Sequence, residues 1–84
     1  MIRILPTNPR IVKRLDKFSL KKKYEKQLKL LSQNPKHPGL RLELLEPKQH
    51  GIYSFRIDRK FRALFIYRSD KQAVEILTVT IHYQ

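Results

Sequence analysis

Residues 51–68, GIYSFRIDRKFRALFIYR, decide the fold because they contain two apolar segments on either side of a short charged run. In YSFRI (53–57) apolar and polar side chains alternate, which is typical of a strand with one face toward a core. The charged run 58–60 interrupts this alternation and predicts a tight turn. A second strand is then expected over residues 61–68.

The strand pattern continues beyond this hairpin. A turn is predicted at Ser69–Gln72 and a third strand at Ala73–Tyr83. Because short turns join each strand to the next, the three strands are expected to form an antiparallel meander. Met1–Leu5 is also interpreted as a short strand, ended by Pro6, that adds to one edge of the sheet.

The first half of the chain has a helical period instead. Asn8-Pro9 is a helix-start signal, because asparagine accepts a bond from an unpaired amide and proline has no amide proton to lose. The first helix is expected to end near Phe18, and Ser19 is the predicted cap of a second helix. Asn34-Pro35 should stop that helix, since the residue before proline is pushed out of the α region. Apolar residues recur at helical spacing in both segments: Ile11, Leu15, Phe18, Leu20, Tyr24, Leu28 and Leu31.

The sequence therefore predicts one α+β domain over residues 1–84. An N-terminal helical hairpin is expected to pack on one face of a three- to four-stranded antiparallel sheet, which leaves the other face free for a ligand. A chain of 84 residues provides for one hydrophobic core and no second domain.

The chain is strongly basic, with 19 Lys and Arg against 7 Asp and Glu and a formal net charge of +12 at pH 7. Such a charge attracts phosphates and makes binding depend steeply on salt. A nucleic acid, RNA above all, is therefore the expected partner. The alternative interpretation of the lysine run at 21–23 is that it forms only the solvated face of a helix.

Composition also excludes several classes of function. The chain has no cysteine, so disulfides and thiolate metal sites are ruled out. The N-terminal apolar segment is too short for a signal sequence and no stretch is long enough to span a bilayer, so a cytoplasmic location without a membrane partner is expected. His37, His50 and His82 are far apart in the chain, so neither a metal site nor a cofactor is predicted.

Two arginines are expected on the free face of the sheet. Arg56 belongs to the polar set of its strand, and Arg62 opens the next strand. A three-residue turn would make them cross-strand neighbours, whereas a two-residue turn would separate them. As neighbours they would hold an anion between them; alternatively, each forms a surface ion pair with Asp58, Glu75 or another acid. Replacing residues on this open face is expected to change the melting temperature by no more than a few degrees.

From about residue 34 to residue 83 the chain resembles the RelE/ParE superfamily of bacterial toxins. The resemblance rests on NPKHPGLR (34–41), on GIYSFRIDRKFRALFIY (51–67) and on a final strand ending in His82-Tyr83. The helical hairpin ahead of these segments fits the layout of the family. The motifs are most similar to those of the YoeB-like ribonuclease branch.

This resemblance implies a toxin of a type II toxin–antitoxin system that cleaves mRNA in the ribosomal A site, inhibits translation and is neutralised by a cognate antitoxin. The catalytic positions of the YoeB-like branch fall on Glu43, Arg62, His82 and Tyr83, with Glu46 as an alternative to Glu43. Contacts to mRNA and ribosomal RNA are expected from basic residues on the helices and the sheet: Lys22, Lys23, Lys26, Arg56, Arg59 and Lys60.

The same residue types suit metal-independent cleavage of RNA. That reaction needs a base for the 2′-OH proton, an acid for the leaving 5′-oxygen, and cations that stabilise the charged phosphorane. A carboxylate, an imidazole and arginines supply these parts, and Tyr83 would stack on a base. Two alternatives remain open: a ParE-type toxin that binds and inhibits DNA gyrase, and a basic RNA-binding relic without catalytic activity.

Overall fold

The computed structural model describes residues 1–68 and 70–81. Two helices precede most of the sheet: α1 (Pro9–Lys17) and α2 (Lys21–Gln33). The sheet has five strands, namely β1 (Arg3–Ile4), β2 (Glu43–Leu44), β3 (Ile52–Arg56), β4 (Phe61–Arg68) and β5 (Ala73–Ile81). Their order across the sheet is β1-β5-β4-β3-β2. Strand β1 runs parallel to β5, and all other neighbours are antiparallel.

The predicted α+β class is confirmed, but the sheet has one strand more than expected and is mixed. The segment at residues 1–5 does join an edge, where Arg3 and Ile4 pair with β5. The additional strand is β2, which was not counted in the predicted sheet and pairs with Tyr53 and Ser54 of β3. Two residues are too few to show an alternating pattern. The third predicted strand is confirmed as far as Ile81, and the rest of its predicted range lies outside the described residues.

The first helix begins where the Asn8-Pro9 signal predicts, because the Asn8 side chain accepts the amide of Arg10 at 2.8 Å. The predicted capping role of Ser19 is wrong. Ser19 has a left-handed φ of 56°, and its amide and that of Leu20 bond back to carbonyls of α1. This pair of bonds is a Schellman closure. Ser19 therefore ends α1, and α2 begins without a side-chain cap.

The helices cover one face of the sheet through aromatic contacts. Tyr24 of α2 stacks on Phe55 with ring centroids 6.3 Å apart, and Phe18 meets Phe61 at 5.1 Å. The apolar set of β3 and β4 therefore points toward the helices, as predicted. The polar set of the same strands lies on the opposite face. No helix within the described part of the chain is long and apolar enough to cross a membrane.

The turn between β3 and β4 has three residues, 58–60, because the Ile57 amide donates to the Phe61 carbonyl at 3.0 Å. The Asp58 carboxylate closes this turn by accepting the amides of Lys60 and Phe61, both at 2.8 Å. Burial acts to raise the pKa of Asp58, but these amides and the charge of Lys23 outweigh it, so the pKa is lowered. The three-residue turn fixes the register of the hairpin.

Candidate functional site

The centre of the free sheet face is Arg62, which is only 8% exposed. Its Nε donates to the Ser54 hydroxyl at 3.0 Å, and its Nη2 donates to the backbone carbonyl of Arg41 at 2.6 Å. Ser54 is itself buried, at 2% exposure. These two acceptors fix the plane of the guanidinium. Its remaining N–H donors bond to none of the residues that the structure describes.

Glu43 lies beside this guanidinium. Its Oε2 is 3.8 Å from Nη2 of Arg62, and the Glu43 side chain is 59% exposed. The strand register explains this contact. Glu43 pairs with Ser54 on β3, and Ser54 pairs with Leu64 on β4. Arg62 is two residues before Leu64 and therefore on the same face of the sheet. The separation is too long for a hydrogen bond. Among the described residues the carboxylate forms no hydrogen bond, so its oxygens can accept a proton from a ligand.

Three arginines meet at this face. Arg56 and Arg62 are cross-strand partners, which confirms the arrangement expected for a three-residue turn. Burial lowers the pKa of Arg62, the charges of Arg56 and Arg41 lower it further, and Glu43 acts in the opposite direction. A guanidinium nevertheless stays protonated at neutral pH. The face therefore has an excess of positive charge that an anion would offset.

Surface ion pairs with Asp58 or Glu75 do not account for Arg56 and Arg62, because both of these acids bind other cations. The Nε of Arg56 donates instead to the backbone carbonyl of Asp58 at 3.3 Å. Within residues 1–68 and 70–81, no carboxylate lies within ion-pair distance of Arg56. Arg62 does have an acid nearby, Glu43. Arg62 is nevertheless buried, so we expect its replacement to destabilise the protein by more than the few degrees that an exposed position would imply.

A second basic surface, the α2 groove, lies between α2 and the β3–β4 turn and has a volume of about 350 Å³. Gln27 connects its walls, because Nε2 of Gln27 donates to the carbonyls of Arg56 at 2.7 Å and Gly39 at 3.1 Å. The charged residues that line the groove are Lys23, Lys26, Arg56, Arg59 and Asp58. Arg56 lines the groove and pairs with Arg62. Arg56 therefore belongs both to the lining of the groove and to the strand pairing that contains Arg62.

The other predicted site residues lie at varying distances from this centre. Lys22 and Lys60 are exposed next to the groove but do not line it. Glu46 follows β2 and forms no ion pair with the described residues. His82 and Tyr83 lie outside the residues that the structure describes, so their roles stay predictions. Residues 1–68 and 70–81 contain no group of three or more acids and histidines placed to hold a metal ion.

Sequence reasoning missed the two groups that hold Arg62. Ser54 lies on the same polar face of β3 as Arg56. A hydroxyl on the face where basic residues were expected could have indicated a hydrogen-bond partner for one of them. The contribution of Arg41 comes through its backbone carbonyl, which any residue type possesses. Its left-handed φ of 46° is uncommon for a residue with a side chain. The residue type at position 41 therefore gave no indication of the contact between its carbonyl and Arg62.

Comparison with known proteins identifies the fold. No protein-family model matches the chain, and no curated protein sequence matches it. The YoeB/ParE toxin from Agrobacterium tumefaciens superposes with a TM-score of 0.70 at 15% identity, covering 98% of this chain and 100% of that one. YafQ from E. coli strain BL21(DE3) gives a TM-score of 0.72 at 13% identity, covering 98% and 92%. A chain of the heterotetrameric YoeB-YefM toxin-antitoxin complex from Staphylococcus aureus gives 0.69 at 22% identity, covering 99% of each.

Two of these solved structures are named as a YoeB/ParE toxin and a YoeB-YefM toxin-antitoxin complex, and all three match nearly the whole of the chain. The predicted RelE-like fold is therefore confirmed. Because the identities are low, the likeness concerns the backbone arrangement. What the free face does follows from its own residues.

Proposed function

We propose that this chain is the toxin of a type II toxin–antitoxin system and that it cleaves mRNA in the ribosomal A site without a metal ion. The observation that carries this proposal is the buried Arg62, held by Ser54 and the Arg41 carbonyl beside the exposed carboxylate of Glu43. A toxin fold and a net charge of +12 support it. The cation and the proton acceptor that RNA cleavage needs lie together on the face that the helices leave free.

In the proposed reaction, the Glu43 carboxylate takes the proton of the 2′-OH. The 2′-oxygen attacks the adjacent phosphorus, and the bond to the 5′-oxygen breaks as His82 protonates that oxygen. Arg62 donates to the nonbridging oxygens, on which negative charge grows in the phosphorane. Because two of its donors are already bonded within the protein, Arg62 needs no reorganisation as that charge develops. Tyr83 stacks on a neighbouring base.

The α2 groove supports binding of the RNA backbone. Its four cations face one carboxylate, Asp58, whose oxygens already accept two amides and pair with Lys23. Phosphates bound here would lead the strand toward Arg56 and then to the cleavage centre. Lys22 and Lys60 are exposed beside the groove and would add outer contacts to mRNA or ribosomal RNA.

A cognate antitoxin is the proposed protein partner. The YoeB-YefM structure from Staphylococcus aureus contains a toxin and an antitoxin together. A chain with a net charge of +12 would bind an acidic protein readily, since complementary charge raises the rate of association. The acidic protein would also shield the basic surface from RNA.

The chemistry of the product ends tests the proposed reaction. Purified protein is incubated with programmed ribosomes and the cleaved mRNA ends are analysed. Attack by the 2′-OH should leave a 2′,3′-cyclic phosphate upstream and a 5′-OH downstream. Arg62→Ala, purified in the same way, controls for contaminating nucleases. A 5′-phosphate end would contradict the internal attack.

The salt dependence of ribosome binding tests the α2 groove. Each phosphate contact contributes a slope of about −0.7 to −0.9 in a plot of log affinity against log salt concentration. Lys26→Gln and Arg59→Gln should each make this slope shallower by about one contact. Lys29→Gln is the matched control, because Lys29 is exposed on α2 but does not line the groove. Equal slopes for all three variants would show that the groove does not bind RNA.

Gyrase inhibition is the second candidate, because one of the similar structures is named a YoeB/ParE toxin. A gyrase inhibitor needs no positioned base and acid on its free face. Supercoiling assays run beside the ribosome assay separate the two activities. RNA binding without cleavage and without gyrase inhibition would indicate the third alternative, a basic RNA-binding protein that has no catalytic activity.

A further inference from the structure

A second pocket lies where the 3-10 turn Pro38–Leu40 leads toward β2. It is open to solvent and has a volume of about 400 Å³. We call it the Pro-His pocket. Its lining combines apolar walls with three basic side chains, and the lining residues are Pro35, Lys36, His37, Pro38, Arg41 and Leu42. The two prolines have a fixed φ, so these walls are formed before any ligand binds. None of these side chains takes part in the reaction proposed above.

The His37 ring is held in one orientation. Its Nδ1 accepts the Gly39 amide at 3.0 Å, so the neutral ring carries its proton on Nε2 and presents a donor. The ring also packs closely on Gly39, where an added Cβ would lie 3.1 Å from Nδ1. The pocket therefore has a fixed aromatic surface with a hydrogen-bond donor at its edge.

The pocket adjoins the cleavage centre through Arg41. Arg41 lines the pocket, and its backbone carbonyl accepts the Nη2 of Arg62 at 2.6 Å. A ligand that places a phosphate on Arg62 would thus have its neighbouring group at the Pro-His pocket. Lys36 and Arg41 supply further positive charge beside the apolar walls.

We propose that the Pro-His pocket binds the base of the nucleotide next to the cleaved phosphodiester bond. The base stacks on the His37 ring and lies against the apolar walls, and Arg41 with Lys36 binds the phosphate. Unpaired bases commonly stack on aromatic rings in this way. The position beside a cleaved bond rests on the proposed function, whereas binding of a nucleotide does not.

Histidine ring signals in NMR spectra measure this binding without any cleavage. The protein is titrated with 5′-AMP, 5′-GMP, 5′-CMP and 5′-UMP, and separately with ribose 5-phosphate, which has no base. The His37 signals should move saturably with at least one nucleotide and much less with ribose 5-phosphate. His50 is exposed in another 3-10 turn and should not move. Equal shifts with ribose 5-phosphate, or no shift of His37, would overturn the proposal.

His37→Asn removes the ring while preserving the turn. Asn34 shows how, because its side-chain oxygen accepts the amide of Lys36 two residues ahead at 3.2 Å, and an asparagine at 37 can accept the Gly39 amide likewise. Loss of the stacking surface should weaken nucleotide binding roughly fivefold or more. His50→Asn is the matched control and should bind as the wild type does. Unchanged affinity in His37→Asn would overturn the proposal.

Cleavage of mRNA on ribosomes then locates the pocket relative to the reaction. His37→Asn should redistribute the cleaved codons, while Arg62→Ala should stop cleavage at all of them. If the wild type binds nucleotides but does not cleave, the proposed function fails and the nucleotide pocket stands. If the wild type cleaves and His37→Asn keeps the same codon distribution, the pocket does not bind the nucleotide beside the cleaved bond.

Discussion

Arg62→Ala is expected to lower the rate of RNA cleavage at saturating ribosome by roughly 10² to 10³, as removal of other preorganised donors does. The guanidinium is fixed by Ser54 and the Arg41 carbonyl, so it meets the phosphorane without first changing conformation. Single-turnover cleavage at saturating ribosome measures the effect. A loss that appears only in ribosome affinity would mean that Arg62 binds the ground state and the transition state equally.

The same substitution is also expected to destabilise the protein. Removing the side chain leaves the buried Ser54 hydroxyl without its Arg62 partner, which costs about 1 to 3 kcal/mol for a buried polar group. Arg62→Lys keeps a positive charge but lacks the planar fork that reaches both acceptors. The lysine variant should therefore also lose most of the rate.

Thermal unfolding separates the two effects. The folded fraction of each variant at the assay temperature is measured by circular dichroism and used to correct its rate. Ser54→Ala is a useful companion, because it removes one acceptor of Arg62 and leaves the guanidinium in place. If the corrected rate of Arg62→Ala equals that of the wild type, Arg62 is structural and takes no part in the reaction.

The sequence predicted those parts of the fold that follow from local patterns. Alternation over residues 53–57 and the charged turn that follows are properties of consecutive residues, and both were correct. The place of β2 in the sheet was not predicted, because its pairing with β3 is non-local and only two residues long. The cap at Ser19 was wrong because serine suits a helix start, whereas here the closure of α1 uses that residue. Whether Ser19 begins α2 or ends α1 depends on tertiary packing, which the local sequence does not contain.

The site shows the same division. That Arg56 and Arg62 are neighbours depended on one local quantity, the length of the turn, which the sequence left open. The contact of Glu43 with Arg62 depends on β2, so only the resemblance to a known family indicated it. The support from the Arg41 carbonyl was invisible, since it is a backbone contact. Residue types indicated the chemistry, and the sheet register brought them together.

His82→Ala is expected to lower the cleavage rate by roughly 10² to 10⁴, because the leaving 5′-oxygen then departs without a proton donor. His82 lies outside the described residues, and this role comes from the resemblance and from the needs of the reaction. The pH profile is the measurement. In the wild type the rate should fall as pH rises and the imidazole loses its proton. The variant should lack this fall, and His50→Ala should keep it.

Growth arrest connects this chemistry with toxicity. A double variant, Arg62→Ala with His82→Ala, should permit growth when it is expressed at the level of the wild type, since both the cation and the acid are missing. Binding of the antitoxin should persist, which shows that the protein is still folded. Full growth arrest by the double variant would mean that toxicity does not come from RNA cleavage, and inhibition of gyrase would then become the first candidate.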